Sequence, residues 1–430
     1  MKRSCIILCL ALGMAASAQR PCVQQAVASI TEIMYHDVVN PPAAARFYAY
    51  ALLAGYETLS PKNSRLPAFP QRFKNFPPPL VDTFPAKRND TLAVLYSILE
   101  TAKNMIPSGY LLEAKEEELV KAFSYLSPGE IEASIGWSRS CARRIVQYSR
   151  TDGYFALSTL RRYQPINGIA YWQPTPPEYL PAVEPNWRTI RPFFLDSAGQ
   201  CKPPPSTRFD TTKGSAFLAL VKDVYTVSSN LTPEQKLAAN FWDCNPFAVQ
   251  YQGHMSVGLK KISPGGHWMG ITGIACGNAH LDLPSTLLLH TVVALTLHDA
   301  FISCWEEKYR SNRIRPETAI NRYLDEQWQP LLQTPPFPEY PSGHSVISMA
   351  AASVLTRFLG DHFAFTDTVE TYIGLPPRQF ASFTAAANEA KISRLYGGIH
   401  FRDAIENGAI EGADIGKLII SRSGAKPLRP

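Results

Sequence analysis

Three short motifs near the carboxyl end carry residue types that suit the binding of a tetrahedral oxyanion. They read Lys-x6-Arg-Pro from Lys308, Pro-Ser-Gly-His from Pro341 and Ser-Arg-x5-His from Ser393, all within 93 residues. Together they supply three fixed cations, a Ser-Gly turn with free backbone amides, and two histidines. Each motif alone is usually a solvated helix end, an ordinary turn or a structural histidine, whereas the ordered set indicates a functional site.

The spacing of these residues predicts how they converge. Lys308 and Arg315 are seven residues apart, so on one helix they would share a face. Pro316 disfavours helical geometry at Arg315, which predicts that the helix ends there and that the guanidinium folds back toward the lysine. Ser342 precedes an apolar run and predicts a helix N-cap, where first-turn amides and the helix dipole favour an anion.

The ordered set resembles the signature shared by vanadium-dependent haloperoxidases and type 2 phosphatidic acid phosphatases, with their bacterial acid phosphatase relatives. Vanadate is an analogue of phosphate, so one cage of cations can serve both chemistries. The resemblance implies that His400 is the covalent partner of the oxyanion, and the metal ligand if it is vanadate, and that His344 is the acid–base group. The oxyanion-binding residues that it implies are Lys308, Arg315, Ser342, Gly343 through its amide, and Arg394.

The two families would use this cage differently. In a haloperoxidase, His400 would ligate vanadium and Lys308 would polarise hydrogen peroxide, so that a halide is oxidised. In a secreted acid phosphatase, His400 would attack the phosphorus of a phosphate ester to form a phosphohistidine. His344 would then protonate the leaving alcohol and activate water.

Two aromatic residues favour the haloperoxidase. Segment 299–316 resembles the corresponding helix of fungal chloroperoxidase, where Trp305 matches a tryptophan on the halide side of the pocket. Phe337 stands where chloroperoxidases and bacterial iodoperoxidases carry phenylalanine. An apolar wall suits a large, polarisable halide and helps to exclude water. Both aromatics would also fit an ordinary core, so the phosphatase remains the alternative.

The motifs leave the partners of two site residues open. Much of the superfamily has an aspartate four residues after the last histidine, whereas Asp403 follows His400 by three. Arg394 is expected to have an acidic or polar partner upstream, for which Asp243 and Asn245 are candidates.

The amino terminus predicts export to the periplasm or the medium. Lys2 and Arg3 precede an apolar run over 6–16, and the small residues 16–18 fit a cleavage site. The run is too short to span a bilayer. Residues 1–18 are therefore predicted to be a signal peptide. Six cysteines would remain, which permits up to three disulfides in an oxidising compartment.

Composition indicates a globular enzyme that acts on small molecules. With 45% hydrophobic and 18% charged residues, the chain can bury a large core. The net charge of +6 is not gathered into a basic run, so nucleic acid is not an expected partner. The oligomeric state is not indicated.

His267, in a Gly-Gly-His-Trp run, is more typical of a satisfied structural histidine than of a catalytic one.

Helical periodicity dominates the chain, and no strand–helix alternation is visible. The fold class predicted is all-α, with helix bundles of the haloperoxidase and acid phosphatase type and the active site at the end of the C-terminal bundle. The domains expected after the signal peptide are an N-terminal helical region, 19–205, and a C-terminal catalytic domain, 206–430. The helices predicted span 43–60, 91–105, 111–126, 128–150, 213–229, 232–242, 285–314, 345–359, 369–374, 382–396 and 402–420.

Two segments of this layout have unusual composition. The stretch 165–205 is rich in proline and predicts a long irregular connection that packs as a belt across the helices. The helix over 285–314 is apolar enough to resemble a membrane span, but His290, His298 and Asp299 interrupt it. We therefore expect a buried central helix and no transmembrane span.

Overall fold

The computed structural model describes residues 22–80, 87–252, 255–424 and 426–428, and within them the chain is mostly helical. The helices are Val23–His36 (α1), Pro41–Leu59 (α2), Asp90–Lys103 (α3), Leu112–Ala122 (α4), Pro128–Ser149 (α5), Ala216–Ser229 (α6), Pro233–Phe241 (α7), Pro264–Asn278 (α8), Leu283–Ser311 (α9), Pro316–Tyr323 (α10), Gly343–Leu359 (α11), Phe383–Tyr396 (α12) and Arg402–Ser423 (α13). Two antiparallel hairpins join Val249–Gln252 (β1) to Met255–Gly258 (β2), and Phe365–Asp367 (β3) to Arg378–Phe380 (β4). The prediction of an all-α fold is confirmed. The predicted signal peptide lies outside the described residues.

Helix α9 is the axis of the fold. It packs against α2 from the amino-terminal part of the chain, and against α8, α11 and α13 from the carboxy-terminal part. Every residue from Leu287 to Trp305 is buried. By length and hydropathy α9 could cross a membrane, but its most apolar stretch is entirely buried inside the fold, which explains its composition. The prediction of a buried central helix is confirmed. The predicted division of the chain after residue 205 stays a prediction.

The end of α9 differs from the prediction. The helix stops at Ser311, and Asn312 adopts a left-handed conformation with φ 47°. Arg315 is the N-cap of α10, so Pro316 begins a new helix instead of ending the old one. A proline suits the first helical position because its missing N–H would have no intrahelical partner there. Lys308 and Arg315 therefore do not share a helix face.

Sequence periodicity missed three helices, α1, α8 and α10. Helix α8 contains the Gly-Gly-His-Trp run and is buried on nearly all sides. A helix surrounded by protein has no polar stripe, so its sequence lacks the amphipathic pattern that identifies surface helices. In contrast, the capping box predicted at Ser127 and Glu130 is present at the start of α5.

The proline-rich stretch lies against α9 as an irregular belt. Asp299, buried in the middle of α9, accepts hydrogen bonds from the backbone amides of Phe193 (2.8 Å), Phe194 (2.7 Å) and Leu195 (2.9 Å). Further along the helix, the carbonyl of Val183 accepts a hydrogen bond from Trp305 Nε1 at 3.1 Å. The belt is thus hydrogen-bonded to α9 at two positions along the helix, Asp299 and Trp305.

The six cysteines that follow the predicted cleavage site are all free thiols, so no disulfide links the described residues. Four of them are buried: Cys141, Cys244, Cys276 and Cys304. The stability of the described fold therefore comes from its hydrophobic core and its buried hydrogen bonds.

The belt contact gives a stability prediction. Asp299→Ala leaves three buried amides without an acceptor, and we expect it to lower the free energy of unfolding by at least about 2 kcal/mol. Asp196→Ala is the matched control, since that belt carboxylate is 70% exposed and pairs with Arg422. Its removal should cost less than about 1 kcal/mol. Urea denaturation would measure both, and equal losses would contradict the assigned role of Asp299.

Candidate active site

Lys308 lies in the last turn of α9 and is fully buried. Its ammonium donates three hydrogen bonds to backbone carbonyls, those of Pro338 (3.1 Å), Glu339 (3.1 Å) and Pro341 (2.5 Å). Burial lowers the pKa of Lys308 to about 8, and the neighbouring charge of Arg315 acts in the same direction. The lysine therefore holds the loop that leads into α11 while it contributes positive charge.

Arg315 approaches the site from the N-cap of α10. Its Nε donates to the carbonyl of Phe337 at 2.9 Å, and its Nη1 donates to the carbonyl of Ile399 at 2.9 Å. The same Nη1 lies 3.2 Å from His400 Nε2. Nη2 is buried and has no hydrogen-bond partner among the described residues. Burial lowers the pKa of Arg315 to about 10, well above neutrality, so the guanidinium stays charged.

Arg394, the third buried cation, lies in the last turn of α12. Its Nε donates to Ser393 Oγ at 3.0 Å and its Nη2 to the carbonyl of Ala239 at 3.2 Å. Burial lowers its pKa, and the negative charge of Asp243 partly opposes that shift. Asp243 itself accepts a hydrogen bond from Lys261 at 2.6 Å. It is thus the nearby acid predicted for Arg394, but its ion pair is with the lysine.

The Pro-Ser-Gly-His motif forms the first turn of α11, as predicted. Ser342 is the N-cap, and its Oγ accepts a hydrogen bond from the amide of Ser345 at 3.4 Å. A Cβ added to Gly343 would lie 3.8 Å from the Trp305 ring and 3.9 Å from Lys308 Cε. Gly343 therefore lies against both the lysine and the tryptophan, at ordinary contact distance.

His344, one residue into the same helix, is neutral. Burial lowers its pKa well below the usual value, and the charges of Arg394 and nearby histidines add to that effect. Its ring hydrogen-bonds to the backbone of Trp242. Its Nε2 is shielded from solvent and has no partner within the described part of the chain.

His400 is oriented by Glu339. Its Nδ1 lies 2.9 Å from Glu339 Oε1, which also accepts a hydrogen bond from the amide of Phe401 at 2.9 Å. The opposite nitrogen, Nε2, faces the Arg315 guanidinium, which can only donate. The proton therefore sits on Nδ1, and Nε2 presents a lone pair. Burial and the surrounding cations lower the pKa of His400 well below its usual value.

Glu339 thus orients His400, the role expected in the superfamily of an aspartate four residues after that histidine. Asp403 instead accepts hydrogen bonds from Arg313 Nη1 at 2.9 Å on both oxygens. Arg313 Nη1 in turn lies 3.5 Å from Glu339 Oε2. Sequence reasoning missed Glu339, although one signal was available. An acidic residue inside an apolar, proline-rich run must find a partner if the run is buried.

Trp305 and Phe337 stand together on one wall of a small cavity. Their ring centroids are 5.0 Å apart, and the Lys308 ammonium lies 5.0 Å from the Phe337 centroid. The cavity is also lined by Gly343, His344, Arg394 and His400. The structure thus brings the two aromatics to the predicted site, where they form its apolar side.

Two further residues singled out from the sequence lie beside the site. Asn245 lines the same cavity and accepts a hydrogen bond from the amide of Phe247 at 3.0 Å. His267 is completely buried behind the cavity wall, with its Nε2 2.7 Å from Asp367 Oδ2. As predicted, it is a satisfied histidine and does not face the cavity.

The charge balance of the cavity fits a bound anion. Lys308, Arg315 and Arg394 are buried cations, while both histidines are neutral, and Glu339 already serves His400 and Arg313. Uncompensated buried charge is costly. An oxyanion would supply the missing negative charge and acceptors for Arg315 Nη2, which has no partner among the described residues.

An all-α bundle with such a cage defines the class that contains the haloperoxidases and the related acid phosphatases. Residues 288–425 match the family model described as the VCPO second helical-bundle domain. A bacterial vanadium-dependent iodoperoxidase of known structure is 40% identical to the chain, with a TM-score of 0.87. The match covers 93% of this chain and 95% of that one. The chain belongs to the vanadium-dependent haloperoxidases.

Two more distant structures share the fold. The holo form of a bacterial vanadium-dependent chloroperoxidase is 16% identical, with a TM-score of 0.68, over 94% of this chain and 96% of that one. The apo-type structure of a bacterial vanadium-dependent chloroperoxidase is also 16% identical, with a TM-score of 0.65. That match covers 88% of this chain and 93% of the other. No curated protein gives a significant match to the chain.

The contact between Glu339 and His400 gives the second prediction. Glu339→Gln replaces the carboxylate that fixes the His400 tautomer, and we expect vanadate-dependent halide oxidation to fall by about 10–100-fold. Asp403→Asn is the matched control, because Asp403 contacts Arg313 and not the histidine; its loss should be below about threefold. Steady-state kinetics at saturating vanadate would compare them, and a larger loss in Asp403→Asn would refute the assignment.

Proposed function

We propose that this protein oxidises halide ions with hydrogen peroxide at a vanadate bound to His400. The observation that carries the proposal is the unprotonated Nε2 of His400 inside a cage of three buried cations. A neutral imidazole can ligate a metal, and the cations can balance the charge of the oxygens around it. The relationship to an iodoperoxidase at 40% identity supports the same conclusion.

The residues that would hold vanadate come from five places: the end of α9, the start of α10, the loop and first turn of α11, the end of α12, and the loop before α13. His400 would supply the ligand nitrogen, with Glu339 fixing its orientation. The oxygens would be held by Lys308, Arg315, Arg394, Ser342 and the Gly343 amide. When bound, vanadate supplies a Lewis-acidic centre that activates hydrogen peroxide toward a halide.

His344 is placed to move protons. Its ring is held by the Trp242 backbone, while Nε2 is free of protein partners in the described chain and is protected from bulk water. Burial and the surrounding charges keep His344 unprotonated when no anion compensates them. An anion in the cage would offset the cations and raise the pKa of His344, so that Nε2 can take a proton from hydrogen peroxide and return it.

The halide would approach along the aromatic wall. Trp305 is fixed by its hydrogen bond to the Val183 carbonyl, and Phe337 contacts the Trp305 ring. These rings keep water away from one side of the cage and offer polarisable surface to a large anion. Lys308 lies beneath both rings, 5.8 Å and 5.0 Å from their centroids, and provides positive charge where the halide arrives.

A phosphatase would use the same cage, with His400 as a nucleophile and a phosphate ester as the substrate. The cage alone suits either reaction because vanadate and phosphate have the same shape and charge type. The aromatic wall and the iodoperoxidase relative favour the haloperoxidase. No specific observation favours the phosphatase.

The first test of the function is an activity comparison on the apo-protein. After incubation with orthovanadate, we expect oxidation of iodide and bromide that requires both vanadate and hydrogen peroxide. Hydrolysis of p-nitrophenyl phosphate is measured in parallel without vanadate and should be weak. Iodide is the first halide to use because of the 40% identical iodoperoxidase. Efficient phosphate release with negligible halide turnover would reverse the assignment.

Substitution of the two histidines tests their separate roles. We expect His400→Ala to abolish vanadate binding and turnover together, since it removes the ligand atom. His344→Ala should keep vanadate binding but lower turnover by about 10²–10⁴-fold, because only proton transfer is lost. Equilibrium dialysis with vanadium analysis, combined with iodide oxidation rates, separates these effects. Loss of vanadate binding in His344→Ala would contradict the proposed role.

A further inference from the structure

Behind the cavity wall, three atoms that commonly ligate metals lie close together. His267 Nδ1 is 3.0 Å from Glu370 Oε1 and 3.5 Å from Cys244 Sγ, and the sulfur is 3.9 Å from the same carboxylate oxygen. All three side chains are buried. They come from the loop after α7, from α8, and from the 3₁₀ turn Val369–Ile373, so distant parts of the chain converge here.

The distances fit a tetrahedral metal centre. Zinc binds cysteine sulfur at about 2.3 Å and histidine nitrogen or carboxylate oxygen at about 2.0–2.2 Å. In a tetrahedron, such bonds place neighbouring ligand atoms roughly 3.3–3.6 Å apart. The observed separation of 3.5 Å lies within that range, and those of 3.0 and 3.9 Å fall outside it by a few tenths of an ångström. A metal could therefore enter with only small side-chain adjustments.

A second carboxylate orients the histidine as metal-binding histidines are usually oriented. His267 Nε2 lies 2.7 Å from Asp367 Oδ2, and Asp367 Oδ1 accepts a hydrogen bond from the amide of Val369 at 2.9 Å. Nε2 donates its proton to this fixed carboxylate, and Nδ1 faces Cys244 and Glu370, where a metal would replace the proton that Nδ1 shares with the Glu370 carboxylate. Such carboxylate–histidine pairs fix the tautomer of the ligand and raise its basicity.

A second buried cysteine–histidine pair lacks these features. Cys276 Sγ lies 3.6 Å from His290 Nδ1, which also lies 2.9 Å from the carbonyl of Thr286. Within the described residues, no carboxylate completes a metal-ligand group there. His290 Nδ1 is thus committed to the Thr286 carbonyl as a donor, whereas His267 Nδ1 faces two further metal-ligating groups.

We propose that Cys244, His267 and Glu370 bind a divalent zinc-type ion at a site separate from the oxyanion cage. The Cys244 thiol and His267 Nδ1 would each lose one proton to solvent as their bonds to the metal form, with no change of oxidation state. Water would take the fourth position, since no fourth metal-binding side chain joins the group among the described residues. Sulfur, imidazole and carboxylate together suit zinc better than calcium or magnesium.

The site would brace one wall of the active centre. Cys244 also lines the cavity that contains His344 and His400. The Trp242 ring stacks on His267, with centroids 4.5 Å apart and an interplanar angle of 18°. Because the Trp242 backbone holds His344, the metal would fix the wall against which the acid–base group rests.

The test measures metal on the full-length protein without vanadate, so it does not depend on the proposed halide oxidation. We expect about one equivalent of zinc per chain by mass spectrometry, either as purified or after addition of zinc and dialysis. Replacement by cobalt(II) should give the near-ultraviolet absorption of a thiolate–cobalt bond. Cys244→Ala should lose that absorption and most of the metal. Cys276→Ala, which removes the thiol of the incomplete pair, should keep both.

Three results would overturn the proposal. One is a wild-type protein that takes up neither zinc nor cobalt in stoichiometric amount, which would leave His267 as an imidazolium between two carboxylates. Another is cobalt bound without a thiolate band, and the third is metal retained at full level by Cys244→Ala. If Cys244→Ala does not fold, the wild-type cobalt spectrum and the metal content of Glu370→Gln decide the question.

Discussion

The rest of the structure depends on the burial of three like charges in one small space. Lys308, Arg315 and Arg394 repel one another and have lost most of their hydration, which is unfavourable unless other groups solvate them. The protein solvates them mainly with backbone carbonyls. Many of these come from the irregular loop 337–341, where carbonyls are not used by helices. The proline-rich sequence before α11 therefore stabilises the cations, because its backbone carbonyls are available as hydrogen-bond acceptors beside the cage.

The two histidines show how hydrogen bonds can give identical side chains different roles. His400 has its Nδ1 proton fixed by Glu339, so its other nitrogen is left as a ligand. His344 is held by a backbone group and keeps an open nitrogen in the cavity. Their ring orientations depend on Glu339 and on the segment around Trp242, which lie far apart in the sequence. Helix α9 contacts the first directly, through the hydrogen bond from Lys308 to the Glu339 carbonyl, and the second through α8, which packs against α9 and whose Trp268 ring stacks on Trp242.

The sequence motifs named the residues that converge in the cage, but they did not predict all of the structural elements that position them. The order of the motifs was sufficient to select Lys308 and His400 as candidate site residues, because the chemistry proposed for each requires that residue type. Arg315 was expected on the same helix, whereas it caps the next one, because a proline after it can begin a helix as well as end one. Helix α8 was missed since a fully buried helix has no amphipathic stripe. Glu339 was missed because its partner is 61 residues away, which no local pattern reveals.

The three buried cations make the protein's stability depend on what occupies the cage. An anion that binds only the folded chain stabilises it by an amount that grows with the logarithm of anion concentration. Arg315 Nη2 has no hydrogen-bond partner in the described chain, and a bound oxyanion would give it an acceptor. An oxyanion bound there would therefore act as a counter-ion of the fold as well as serve the proposed reaction. The supply of vanadate or phosphate would then change the folded fraction of the chain, even when no halide is being oxidised.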